Sequence, residues 1–358
     1  MAYQSVGTPR FYISILQWLK SLGMASYSES SDWTPSGDAL SLLDINPSST
    51  ITFTPTDGIS GENNSIAYGT NIPLGTIMPT GKNFFMALGH NFSTSTVADL
   101  IVRDNGGAVV CKEEVINEIG ESRYNGFTIM KGDDAADIDD SYLVFSLQGT
   151  SNEAETPTYE YAEDIKIGSF LYGTYYDLPH SPDLNLTMTR EYGGIKTIET
   201  KGGASLSNDF GSKPPAWGEL GAWELGSNNP ALSRSGRRTW SLSFSYLDSG
   251  DLFGSNQLLL DVNSEAGGFY QPIYTSTGYE DDDITNDLFT YNLLTDDNFF
   301  SQVWHKTLGG TLPFIFQPDK DNNNPDQFAI CRFKGNSLKA TQTAFHVYDI
   351  SLKIEEVW

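Results

Sequence analysis

The sequence has few cysteines and no long apolar run, and each shortage excludes a class of protein. Cys111 and Cys331 are the only two cysteines in 358 residues, and they lie too far apart to indicate a disulfide framework or a cysteine-ligated metal site. No stretch reaches the ~20 apolar residues of a membrane span. No small-residue cleavage site follows the N-terminal segment, so a signal peptide is not expected. We therefore expect a soluble protein, without a membrane partner, that is made and assembled inside a cell.

Basic residues are also scarce. Lysine and arginine total 21 against 46 aspartates and glutamates, which gives a formal net charge of -25. Charged residues make up only 19% of the chain, so the imbalance comes from missing lysine and arginine rather than from an excess of acids. A surface of this kind repels phosphate. Sequence-specific binding of nucleic acid is therefore not expected.

Motifs of known catalytic chemistry are missing too. The four histidines, His90, His180, His305 and His346, stand in no HExxH or other zinc-binding spacing. The sequence contains no GxSxG nucleophile elbow, no Walker A loop and no GxGxxG turn. We expect a protein that is not an enzyme and that carries no cofactor.

Aromatic residues, in contrast, are abundant. The chain contains 18 Tyr, 20 Phe and 7 Trp, and 39% of its residues are hydrophobic, which is too apolar for a disordered chain. Domains usually have ~100 to 150 residues, so a chain of this length is expected to fold into more than one.

Strand patterns dominate after the first 45 residues. Short runs of alternating, aromatic or β-branched residues are separated by Gly, Asn, Asp and Pro, which is typical of antiparallel β-sandwiches. The clearest run is Trp240 to Tyr246, where large apolar residues alternate with serine. Strands are predicted in residues 49–55, 83–92, 98–104, 141–147, 184–192, 238–247 and 347–358.

Two segments have helical periodicity. Apolar residues recur at helical spacing in residues 11–22, after Pro9 and before a C-terminal Gly23. Residues 296–310 have acids at the start, an apolar stripe and a Gly-Gly stop. Each segment is predicted to form one helix.

The polar, acidic stretch at residues 150–165 is the best candidate for a domain boundary. We predict an N-terminal helix and linker in residues 1–44, a β-sandwich in residues 45–165, and strands with one flanking helix in residues 166–358. Residues 202–236 are rich in Gly, Pro, Ser and Asn, and they form a candidate loop arm that could reach a neighbouring subunit. Trp217 and Trp223 in this arm are candidates for inter-subunit contacts.

Three groups of polar residues are candidates for binding. His90 and Asn91 lie at the end of a predicted strand, where they either hydrogen-bond a neighbouring turn or contact a sugar. The second group is a cluster of arginines in an otherwise acidic chain and comprises Arg234, Arg237 and Arg238. This cluster is either an anchor for a neighbouring subunit or a solvated turn. The third is an acidic run that is either a solvated loop or, as a weaker alternative, a calcium site; it comprises Asp133, Asp134, Asp137 and Asp139.

Several segments together resemble structural proteins of tailed bacteriophages, especially those of uncultured marine phages. The similar segments are residues 11–23, 83–92, 167–194, 236–254 and 299–333. By this resemblance, the first domain is similar to the galactose-binding-like jelly-roll sandwich of phage tail and fibre proteins. The resemblance implies that the positions of Asn83, His90 and Asn91 either shape the fold or contact a ligand. The second is similar to the tail-tube and distal-tail fold, a sandwich flanked by a helix, whose copies join into a ring with a continuous inner barrel.

The resemblance also implies a function. It suggests a tail or baseplate component located in the virion and assembled in the host cytoplasm. Such a protein forms a homo-oligomeric ring, as an adaptor or hub around the DNA channel, and holds other tail proteins at its periphery. An acidic wall would let DNA pass without binding it. The alternative is a host-glycan-binding adhesin module of a tail fibre.

Overall fold

A computed structural model of the chain describes residues 6–29, 33–47, 49–60, 64–79, 81–92, 99–104, 109–114, 127–131, 142–151, 158–191, 197–207, 237–253, 293–323 and 327–357. These residues form mainly β-strands in several sheets, with few helices, as the sequence predicts.

The strands have the following bounds in chain order. They are β1 (Arg10–Ser14), β2 (Ala25–Glu29), β3 (Trp33–Pro35), β4 (Ile51–Pro55), β5 (Ile59–Ser60), β6 (Ser65–Thr70), β7 (Asn83–Leu88), β8 (Asp99–Asp104), β9 (Val109–Glu114), β10 (Phe127–Lys131), β11 (Tyr142–Gln148), β12 (Thr150–Ser151), β13 (Thr158–Glu160), β14 (Ile165–Ile167), β15 (Ser169–Asp177), β16 (Thr187–Glu191), β17 (Thr197–Glu199), β18 (Ser205–Ser207), β19 (Arg237–Asp248), β20 (Phe314–Gln317), β21 (Ala329–Phe333), β22 (Ala340–Ala344) and β23 (Val347–Glu356).

The helices in the described ranges are short. Two are α-helices, α1 (Ile15–Ser21) and α2 (Ser249–Leu252). Two 3₁₀-helices cover Ala39–Leu43 and Leu74–Thr76, and a π-helix covers Phe300–His305.

One large sheet organises the described residues. Its ten strands run in the order β10-β7-β15-β1-β20-β21-β23-β19-β16, with β22 paired to β23 beside this path. A five-stranded sheet has the order β2-β6-β11-β8-β9. Smaller sheets join β12, β13 and β5, then β14, β4 and β3, and finally β17 and β18.

The two largest sheets pack face to face as a β-sandwich. Phe145 on β11 stacks on Phe170 of β15 with ring centroids 5.0 Å apart, and it also contacts Phe85 of β7 at 5.1 Å. All three rings are buried. Facing side chains of this kind form the core between layered sheets.

The N-terminal segment corrects one prediction. Residues 11–14 belong to strand β1 and not to the predicted helix, which begins only at Ile15. All five residues of β1 are buried, because β1 lies between β15 and β20 in the middle of the sheet. A strand buried on both faces has a continuous apolar run, which periodicity cannot distinguish from a helix.

A serine cap begins α1, and the predicted glycine follows its C-terminal end. The Ser14 hydroxyl accepts a hydrogen bond from the Gln17 amide at 3.3 Å, which caps the first turn. Gly23 follows the helix with a φ of 71°, a conformation in which glycine carries no Cβ penalty.

The second predicted helix is present in a different form. Within residues 296–310, Phe300–His305 adopt a π-helix, and Gly309 and Gly310 follow it with positive φ values of 67° and 87°. Phe299 and Val303 are buried in the core, as the apolar stripe predicts.

The apolar cores relate to the predicted boundary in two ways. One core cluster draws its buried residues from Ile15 to Tyr172, and a second draws most of its residues from Tyr176 to Ile354. A third cluster includes side chains from both sides of residue 165, and the large sheet also runs across it. The segment predicted as an N-terminal helix and linker supplies the strand that joins the two parts.

Candidate functional site

His90 lies just after β7, in a tight turn that begins at Gly89. Gly89 has a φ of 65°, and a Cβ at this position would lie 2.1 Å from the carbonyl oxygen of Pro47. Only glycine fits such a position without strain. The turn therefore fixes the start of the segment that carries His90 and Asn91.

Both ring nitrogens of His90 contact the chain itself. Nδ1 accepts a hydrogen bond from the Phe92 amide at 3.2 Å, and Nε2 lies 2.9 Å from Oγ1 of Thr128 on β10. A neutral imidazole that accepts at Nδ1 carries its proton on Nε2, so Nε2 donates to Thr128. The ring also stacks on Phe92 at 4.0 Å, and His90 is only 7% exposed.

The two asparagines also make intramolecular hydrogen bonds. The Asn91 side chain donates to the Asp164 carbonyl at 3.0 Å and accepts from the Lys166 amide at 2.7 Å, as a backbone strand would. Asn83 is buried and donates to the Tyr172 hydroxyl at 3.3 Å. Of the two interpretations of Asn83, His90 and Asn91, this geometry favours the fold-stabilising one over sugar contact.

Arg238 forms an intramolecular ion pair. Its Nε and Nη2 donate to the two carboxylate oxygens of Glu356 at 3.2 and 2.9 Å, and Nη2 also donates to the Phe328 carbonyl at 2.8 Å. The Arg238 side chain is 13% exposed and that of Glu356 is 9% exposed. This differs from the predicted inter-subunit role, because the guanidinium is already engaged inside the subunit. Arg237, the first residue of β19, is exposed.

Several predicted site residues lie outside the described residues. These are Trp217, Trp223 and Arg234, with most of the 202–236 arm, and the acidic residues Asp133, Asp134, Asp137 and Asp139. Within the ranges that the structure describes, no group of three or more His, Cys, Asp or Glu side chains is arranged to hold a metal ion. Of the helices in those ranges, none has the length and apolarity needed to cross a membrane.

A buried lysine was missed by the sequence analysis. Lys306 is fully buried and donates to the amide oxygen of Gln302 at 2.6 Å. Burial lowers the pKa of Lys306 to about 7, and the charge of Asp297 only partly opposes this shift. The i, i+4 spacing of Gln302 and Lys306 on a predicted helix was the available signal. Because no solvent reaches Lys306, the amine is not placed to meet a substrate.

Gln302 connects Lys306 to its surroundings. Its side-chain amide donates to the carbonyls of Asp296 at 2.6 Å and Leu294 at 3.3 Å, and its oxygen also accepts from Thr174 on β15 at 3.4 Å. The network fastens the π-helix to the large sheet and to the preceding turn. Its role is structural.

A second missed group lies on the central strands. Arg10 on β1 makes a two-pronged ion pair with Asp177 on β15, at 2.5 and 2.7 Å. Its guanidinium also lies 4.3 Å from the ring centroid of Tyr175. The Asp177 carboxylate neutralises the charge of Arg10 between neighbouring strands, which explains why the Arg10 side chain can be buried. These contacts indicate no ligand site.

The remaining candidates are surfaces. Strand β16 ends the large sheet, and all five of its residues are exposed. Large apolar or aromatic side chains near this end of the sheet and on the β17–β18 ribbon face solvent; they are Leu184, Met188, Ile198, Leu206, Tyr246 and Phe345. Exposed apolar and aromatic side chains are candidates for contact with a partner or ligand.

Comparisons with known proteins add little to this geometry. Neither protein-family models nor curated proteins gave a match to the chain. A solved structure described as CpGH89CBM32-6 produced by Clostridium perfringens matches 42% of this chain and 94% of its own chain, with 9% sequence identity and a TM-score of 0.24. A likeness this slight carries no argument about fold or function.

Proposed function

We propose that this chain is a non-enzymatic structural protein of a bacteriophage tail or baseplate, which associates with copies of itself into a ring around the DNA channel and holds other tail proteins. The proposal places the protein in the virion, after assembly in the host cytoplasm. The observation that carries the self-association is the position of β16 as the end strand of the large sheet in the described part of the chain.

Strand β16 is suited to pair with another chain. In the part of the chain that the structure describes, β16 pairs with β19 and is the end strand of the large sheet, and an end strand is the place where a sheet can add a strand from another chain. Met188 on β16 is 51% exposed and Leu184 just before it is 89% exposed. Exposed apolar side chains on and beside an end strand favour the addition of a strand from a neighbour.

The order of strands allows copies of the chain to meet head to tail. The large sheet has β16 at one end and β10 at the other. When two different surfaces of the same chain meet head to tail, a rotation that closes produces a ring. A net charge of -25 suits a channel wall along which DNA slides without binding.

The experiment is the measurement of mass in solution together with negative-stain imaging of the full chain. The proposal requires a discrete ring with an open channel. Met188→Lys places a charge on the edge and is expected to dissociate the ring, whereas Thr54→Lys, on an exposed position of β4, is the matched control. If the ring persists in Met188→Lys, β16 is not part of the interface. If the parent protein is a monomer under all conditions, the proposal of self-association is wrong.

The alternative function is that of a host-glycan-binding adhesin module. The residues first considered for it, Asn83, His90 and Asn91, are engaged in hydrogen bonds within the chain. Support for sugar binding comes instead from exposed polar and aromatic residues on β19 and β23, among them Tyr246.

A further inference from the structure

The backbone of β19 is irregular at one exposed tyrosine. β19 and β23 pair continuously, except for a shift of register between Phe244 and Leu247. Tyr246 lies in this bulge with a φ of 63°, a left-handed conformation that is unfavourable for a bulky side chain. Its amide donates to Oδ1 of Asp349 at 3.2 Å, and the residue is 82% exposed. The chain thus maintains a strained backbone at a residue whose ring contributes little to the core.

Polar side chains surround Tyr246 on the outer face of the sheet. On β19, Ser243 and Ser245 alternate with the buried Leu242 and Phe244. The Ser245 hydroxyl donates to Oδ2 of Asp183 at 2.9 Å. The Asp183 amide in turn donates to the Ser243 carbonyl at 2.8 Å, which holds this residue against β19.

A second carboxylate lies on the opposite side of β19. Asp349 belongs to β23, and the next outward residue along that strand is Ser351, whose hydroxyl lies 3.4 Å from that of Ser243. Two carboxylates therefore flank Tyr246, one on each neighbouring segment. Each carboxylate has about four acceptor positions, so the hydrogen bonds that hold it in place leave capacity for a ligand.

The turn between β22 and β23 adds a second exposed aromatic residue at this end of the sheet. Phe345 is 65% exposed, and His346 beside it has a φ of 57°. The His346 ring lies 3.1 Å from the Ser249 hydroxyl, and the His346 carbonyl accepts from the Ser249 amide at 3.1 Å. Because the pairing of β19 with β23 joins Asp248 to Val347, this turn lies next to the segment that carries Tyr246.

We propose that Tyr246, Asp183, Asp349 and the serines between them form a binding site for a neutral sugar. The C–H face of a pyranose ring stacks on an exposed tyrosine, while neighbouring sugar hydroxyls donate to carboxylates and exchange hydrogen bonds with serines. The two aspartates repel sialylated, sulfated or phosphorylated glycans. The site does not rest on the proposed ring, because Tyr246, the residue that the test removes, lies on β19 and not on the end strand β16.

The test uses the full chain on an array of neutral hexose and N-acetylhexosamine oligosaccharides beside sialylated and sulfated ones. Calorimetry on the best neutral glycan then gives its dissociation constant. Tyr246→Gly removes the ring and leaves a residue that tolerates a positive φ, so the variant is expected to keep its melting temperature and to lose about tenfold or more in affinity. Tyr142→Ser, at another exposed tyrosine on β11, is the matched control.

The outcomes are distinct. Saturable binding of neutral glycans that weakens only in Tyr246→Gly supports the site. Three results overturn it: no neutral glycan binds, Tyr246→Gly binds as tightly as the parent, or acidic glycans bind better than neutral ones. The oligomeric mass of Tyr246→Gly is expected to equal that of the parent, so failure of the sugar site leaves the ring proposal intact and the reverse also holds.

Discussion

Lys306 and Gln302 are linked by a hydrogen bond of 2.6 Å between the amine of the first and the amide oxygen of the second, and both side chains are fully buried. Gln302 Oε1 and the Thr174 hydroxyl are the neutral polar partners nearby, and Asp297 supplies an opposing charge. A charged ammonium is unfavourable in such surroundings, which is why the pKa of Lys306 falls to about 7.

Lys306→Met is expected to stabilise the protein at neutral pH. In the unfolded chain, the Lys306 amine becomes protonated below its ordinary pKa of 10.5, whereas in the folded chain it becomes protonated only below a pKa of about 7. Stability therefore falls as the pH decreases from 10.5 to 7, and this contribution stays constant at lower pH. Over this pH range, the free energy of unfolding of the parent changes by roughly 3 to 5 kcal/mol because of Lys306.

Urea unfolding of the parent and of Lys306→Met, measured between about pH 7 and pH 10, tests this expectation. The free energy of unfolding should rise with pH more steeply in the parent than in the variant. Lys353→Met, at an exposed lysine of β23, should keep the slope of the parent. Equal slopes in the parent and Lys306→Met would show that Lys306 titrates in the folded protein as it does in the unfolded chain.

Arg238→Met is expected to destabilise the fold by about 3 kcal/mol, because it leaves the nearly buried Glu356 carboxylate without its partner. Arg237→Met removes the neighbouring exposed arginine and should change stability by less than about 1 kcal/mol. Chemical denaturation measures both values, and light scattering measures the oligomeric mass. An Arg238→Met variant with parental stability but a smaller assembly would restore the inter-subunit role predicted from the sequence.

Gly89→Ala tests the turn that positions His90. The new Cβ would lie 2.1 Å from the Pro47 carbonyl oxygen, and the alanine backbone would have to adopt a left-handed conformation. We therefore expect the free energy of unfolding to fall by more than about 2 kcal/mol. Gly203→Ala is the matched control, since Gly203 also has a positive φ of 78° but no atom lies within 4 Å of its added Cβ. It should lose only about 1 kcal/mol. Equal melting temperatures for the two variants would rule out the close approach of Pro47.

Strands buried on one face were predictable from the sequence. Trp240, Leu242 and Phe244 alternate with serines, and the observed β19 covers the whole run. Strand β1 was not predictable, because a central strand covered on both faces loses the alternation that marks strands. The bulge at Tyr246 was also hidden, since its left-handed φ depends on pairing with β23.

The polar contacts were less predictable than the strands, because they join residues that are far apart in the chain. Arg238 and Glu356 are 118 residues apart, and Tyr246 and Asp349 are 103 apart. No local spacing identifies such partners. The sequence could mark His90 and Asn91 as polar residues at a strand end, but only the fold shows that Thr128 and Lys166 satisfy them.

His90→Ala distinguishes the two interpretations of the segment after β7. Removal of the ring breaks the link to Thr128 and the stacking on Phe92, so we expect a loss of about 1 to 3 kcal/mol in urea unfolding. His90→Gln can restore at most part of the contact with Thr128, so its free energy of unfolding should lie between that of the parent and that of the alanine variant. Because His90 is only 7% exposed, affinity for any neutral glycan should not change. If His90→Ala instead kept its stability and lost glycan affinity, the sugar-contact interpretation of His90 would replace the fold-stabilising one.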